Sequence, residues 1–76
     1  MTNVKISLSS LDDIKEFNKL TCGFEANADL SEGNYKVDAK SLIGLFTLDM
    51  NQALDLSIHS DNCRDYLKSI SKFLVN

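Results

Sequence analysis

The sequence predicts an α+β fold: a four-stranded antiparallel sheet with every helix on one face, in the order β-α-β-β-α-β-α. Three observations predict it. Short runs alternate apolar and polar residues, as half-buried strands do, instead of running continuously apolar. Between them, apolar residues recur at three- and four-residue steps. The chain has 76 residues, enough for one core, so residues 1–76 read as a single domain.

The elements follow in order. Val4, Ile6 and Leu8 alternate with polar neighbours and predict a first strand. Ser9, Ser10, Asp12 and Asp13 then supply hydroxyls to cap free N–H groups and acids to face the positive end of a helix. Leu11, Ile14, Phe17, Leu20 and Phe24 mark one face of that helix, which ends near Gly23. Ala26, Ala28 and Leu30, then Tyr35, Val37 and Ala39, predict a hairpin around Ser31-Glu32-Gly33-Asn34, with Gly33 taking the positive φ of the turn. Lys40-Ser41 opens a second helix with Leu42, Leu45 and Leu48 facing inward. Leu54, Leu56 and Ile58 predict the last strand. Asp61-Asn62 should cap a final helix that points Cys63, Tyr66, Leu67, Ile70, Phe73 and Leu74 at the core. Ferredoxin-like folds share the β-α-β-β-α-β order, so the pattern alone leaves the strand arrangement open.

Composition excludes several function classes. Net charge is −3, from 8 Lys and Arg against 11 Asp and Glu. The basic residues are scattered, so the positive face that a nucleic-acid backbone requires is absent. The start of the chain lacks the long apolar core of a signal peptide, and no stretch approaches a membrane span. The expected location is cytoplasmic. Cys22 and Cys63 have no second thiol or histidine at ligand spacing and read as reduced, half-buried apolar residues, not metal ligands. No acid–base pair or glycine-rich phosphate loop points to catalysis or a bound cofactor.

Ala39-Lys40-Ser41-Leu42-Ile43-Gly44-Leu45-Phe46-Thr47-Leu48 resembles the segment around the regulatory serine of HPr, the histidine-containing phosphocarrier of the bacterial sugar phosphotransferase system. Gly23-Phe24 is similar to the family at the end of the first helix, and the spacing between the two segments agrees without a gap. The resemblance covers roughly residues 4 to 60. It implies an open-faced β-sandwich, which agrees with the strand and helix pattern.

The departure lies at the start of the first helix. There the family carries Gly-Leu-His-Thr-Arg-Pro, whose histidine takes up and passes on a phosphoryl group. Here Ser10 holds the histidine position, and Asp12 and Asp13 hold the arginine and proline positions. A phosphoserine ester is not the labile donor that a phosphoimidazole is. The family arginine would pair with phosphoryl oxygens, whereas Asp12 repels them. Two unit charges 4 Å apart at a protein surface interact by about 4 kcal/mol at an effective dielectric of 20, so reversing the sign disfavours a phosphorylated state. His59, the only histidine, is expected at the end of the last strand, facing solvent or on a sheet edge.

What the resemblance leaves in place is the second helix. Ser41 falls on the family's regulatory phosphorylation position, which a dedicated kinase modifies in many Gram-positive relatives. By composition alone Ser41 is also a good N-cap. With Leu42, Leu45 and Leu48 inward, Ile43 and Phe46 should be exposed and, with Lys40, form a face for a protein partner. The resemblance implies a serine kinase or a transcriptional regulator as that partner. Asp49 stands where the family usually has glycine. The acids Asp12, Asp13 and Glu16 read as a solvated helix start. The chain is similar to catabolite-repression HPr, a paralogue without the phosphocarrier histidine. The function expected is therefore a non-catalytic regulator or adaptor related to the phosphotransferase system, with Ser41 as a switch. The alternatives are a phosphocarrier with a relocated acceptor, or an interaction domain unrelated to sugar transport.

Overall fold

In the strands, alternate residues sink into one core while their neighbours stay wet. The computed structural model describes residues 1–49 and 52–75. Its strands are β1 (Thr2–Ile6), β2 (Ala28–Glu32), β3 (Tyr35–Asp38), β4 (Leu54–Ile58) and a short β5 (Leu74–Val75). The helices are α1 (Leu11–Cys22), α2 (Leu42–Leu45) and α3 (Arg64–Ser69), the last continued by a 3₁₀ turn at Ser71–Phe73. The sheet order is β3-β2-β4-β1-β5, antiparallel throughout. This resolves the strand arrangement: β4 lies between β1 and β2. Ile6, Ala28, Leu30, Leu54, Leu56 and Ile58 are buried beneath the helices. On the other face Lys5 and Asp55 form an exposed ion pair at 2.9 Å.

The β2–β3 hairpin turns where expected. Gly33 has φ +60° while no other described residue has a positive φ, and Glu32 pairs with Tyr35 across it. Positive φ at the first central position alone is the type II′ pattern, whose twist matches the strands.

α1 packs Ile14, Phe17 and Thr21 into the core, and Phe17 meets Phe73 edge-on at 6.0 Å. Thr21 is the one buried polar side chain among the described residues. Its hydroxyl donates to the Phe17 carbonyl at 2.8 Å and lies 2.7 Å from the Tyr66 hydroxyl. A hydroxyl carries one proton, so Tyr66 is the donor to Thr21. Burial pushes the Tyr66 hydroxyl above the usual tyrosine range.

Four expectations are corrected. The sheet has five strands, not four, because the chain leaves its helical path at Phe73 and Leu74–Val75 pair with β1. The final helix therefore ends at Ser69. Its N-cap is Cys63, with no side-chain cap bond, in place of Asp61-Asn62. Leu11 is 56% exposed, whereas Ile14, one turn on, is buried. Cys22 is exposed, whereas Cys63 is buried.

Candidate functional site

Two helix starts carry the residues singled out from the sequence. At the first, Ser10 is extended (φ −153°) and caps α1, its Oγ accepting the Asp13 N–H at 3.1 Å. Asp13 answers in reverse. Its carboxylate accepts the Ser9 N–H at 3.0 Å and the Ser9 hydroxyl at 2.8 Å. This resembles a capping box, but Asp13 reaches past the N-cap to Ser9, the residue before it. The Ser9 N–H and then the Ser9 hydroxyl hold the Asp13 carboxyl below its ordinary value. An anion approaching this helix end thus meets a fixed carboxylate already bonded to local donors, with Asp12 exposed beside it.

At the second start, Ser41 caps α2 and is exposed, its Oγ accepting the Gly44 N–H at 3.2 Å. No acid stands in the first turn. α2 is one turn long, Leu42–Leu45, so its dipole contributes little here. Gly44 lets that turn lie close to β3: an added Cβ would sit 3.3 Å from Val37 Cβ and 3.3 Å from Ser41 Oγ. Leu45 and Leu48 are buried and Leu42 is partly so. Ile43 is 80% and Phe46 45% exposed, as their spacing predicted. Tyr35, exposed on β3, extends this apolar surface and bonds Thr47 hydroxyl to hydroxyl at 2.7 Å. Sequence reasoning placed Tyr35 only in a strand; its period-2 match with Val37 was the signal for the helix-side face.

Lys40 does something the sequence did not reveal. Its ammonium donates to the Phe24 carbonyl at 2.7 Å, just past the C-terminus of α1. Its backbone N–H donates to Asp38 Oδ1 at 2.9 Å. Beyond α2, the Asp49 N–H donates to a Glu32 carboxylate oxygen at 2.7 Å, and its carboxylate accepts from Gln52 at 3.2 Å.

His59 follows β4 and is exposed, with Nε2 2.7 Å from Asp29 Oδ2. β4 is interior to the sheet, so the edge-strand option does not apply. Asp38 faces Asp29 across the β2–β3 ladder, and this setting of carboxylates is a poor one for a phosphoryl group. No cluster of three metal-ligating side chains occurs among the described residues, and no helix among them is long and apolar enough to cross a membrane.

No protein-family model and no curated protein matches the sequence. Solved structures do match. HPr-C-His from Thermoanaerobacter tengcongensis superposes with a TM-score of 0.78 at 23% identity, over 95% of this chain and 89% of that one. The phosphocarrier protein HPr of Bacillus anthracis str. Ames gives 0.73 at 15% identity, over 97% and 94%. The fold is that of HPr. Crh of Bacillus subtilis, a catabolite repression protein whose structure is a swapped, intertwined dimer, gives 0.66 at 18% identity, over 100% and 93%. In this HPr-like fold the region around α2 brings Lys40, Ser41, Ile43 and Phe46 together in one short segment. Ser10 and Asp12 stand apart from it, at the start of α1.

Proposed function

We propose that this chain is a non-catalytic regulator or adaptor of the HPr kind, which meets a protein partner through α2 and is switched by phosphorylation of Ser41. The observation that carries the reading is an exposed hydroxyl at Ser41 beside an exposed Ile43–Phe46 pair on the same helical turn. Exposed apolar side chains grouped at one place mark interaction surfaces, and aromatic ones anchor them. A carrier or regulator also fits the solved structures of this fold, described as a phosphocarrier and a catabolite repression protein. A serine kinase would transfer the γ-phosphoryl group of ATP to Ser41 Oγ, with loss of the hydroxyl proton and release of ADP. The modified face would then engage a transcriptional regulator. The closed cap at Ser9, Ser10 and Asp13 supports a protein that no longer relays phosphate from α1. A cytoplasmic location accompanies this reading.

The test is binding to the kinase or regulator. Ile43→Ser with Phe46→Ser should weaken it at least tenfold while leaving the unfolding transition nearly in place. Unchanged affinity, or a collapse of stability, would refute the docking assignment.

A further inference from the structure

We propose that Lys40 is a latch between α2 and the end of α1, and that a phosphate on Ser41 opens it by drawing the ammonium away from the Phe24 carbonyl. The inference rests on Ser41 being the modified residue. Carbonyls at and just past a helix C-terminus lack intrahelical donors, and a cation there satisfies them and complements the dipole. Lys40 reaches across from the strand–helix junction to supply this cation, at 2.7 Å and partly buried.

The backbone around Lys40 is pinned. Its N–H bonds Asp38, its carbonyl accepts the Cys22 thiol at 3.5 Å, and the Ser41 N–H bonds the Asp38 carbonyl at 3.0 Å. Only the four-carbon side chain is left to reorient. A phosphoserine on the adjacent residue brings nearly two negative charges and three strong acceptor oxygens. The Phe24 carbonyl offers the ammonium only a dipole, whereas the phosphate adds the attraction of opposite charges, so the phosphate outcompetes Phe24.

Phe24 is the residue through which the change would be felt. Its ring stacks on Tyr66 of α3, 4.6 Å apart and 7° from parallel, and Tyr66 in turn bonds Thr21 in the last turn of α1. Opening the latch therefore loosens the α1–α3 contact at its outer end. Phe17 and Ile14, both buried, keep the helix seated.

The experiment installs phosphoserine at position 41 during translation, so its outcome does not depend on any kinase. Amide hydrogen exchange is followed at Gly23 and Phe24, whose N–H groups bond Lys19 and Thr21 carbonyls. Phosphate should speed exchange there about fivefold, the effect of losing one hydrogen bond of ordinary net worth. Lys40→Met should do the same without phosphate, and phosphate should add nothing in that background. The Lys40 ammonium nitrogen resonance in the unsubstituted chain gives a second readout, showing coupling to phosphorus only in the phosphorylated form. Unchanged exchange and resonance, or an equal further acceleration when phosphate is added to the Lys40→Met chain, would overturn the latch. Failure of a serine kinase to modify Ser41 would instead overturn the proposed function, leaving the exchange result intact.

Discussion

Ser10 and Ser41 each accept a backbone N–H from three residues ahead, at 3.1 and 3.2 Å. The caps are alike, but their surroundings differ. Ser10 opens a twelve-residue helix and lies beside a carboxylate that has already taken the local donors. Ser41 opens a single turn free of acids and flanked by exposed Ile43 and Phe46. A cap by itself therefore says little about function. The fixed charges and apolar surface around it decide whether a phosphate or a partner is welcome there.

The comparison has structural consequences that can be broken. The largest effect belongs to the anchored helix. Phe17→Ala should cost about 3–5 kcal/mol in denaturant unfolding, since it empties a fully buried site. By contrast, Ile43→Ser with Phe46→Ser should cost less than about 1 kcal/mol, as exposed substitutions do. A loss comparable to that of Phe17→Ala would make the α2 face part of the core.

Removing the caps comes next. Ser10→Ala should cost about 1 kcal/mol. Ser41→Ala should cost about 0.5 kcal/mol, the low end for a cap-to-Ala substitution, because a one-turn helix depends more on Leu45 than on its cap. Equal losses in thermal unfolding would erase the distinction between the two starts.

The smallest effect is the pH dependence of the closed cap. The Asp13 carboxyl titrates below its ordinary 3.8 when folded. Its contribution is therefore present above that value and lost as pH falls through the lower folded one. Asp13→Asn should flatten the acid limb of stability below about pH 4 in urea titrations. An identical acid limb in the variant would show that Asp13 is not held by Ser9.

Much of the architecture was legible from residues alone. Strand alternation located β1 to β4, and Gly33 located the hairpin. The positions of Ser41, Ile43 and Phe46 followed from helical spacing against Leu42, Leu45 and Leu48. What escaped was set by tertiary context. Tyr66, Ile70, Phe73 and Leu74 keep a helical spacing although the chain extends after Phe73, because a strand edge on β1 is available to it. Leu11 matches the inward face yet is exposed. The Asp13–Ser9 closure could have been found in the Ser10-x-x-Asp13 spacing, a capping-box signal. The reach of Lys40 to Phe24 had no local signature, since it joins residues 16 apart.

The most direct test of the account is to map phosphate on the purified chain after two incubations. One supplies ATP with a serine kinase of the HPr type, and the other supplies phosphoenolpyruvate with the general enzyme of the phosphotransferase system. The account predicts one acid-stable phosphate, on Ser41, from the kinase alone, and none on Ser10. An acid-labile phosphate from phosphoenolpyruvate, carried on His59, would contradict it and make the chain a relay with a displaced acceptor.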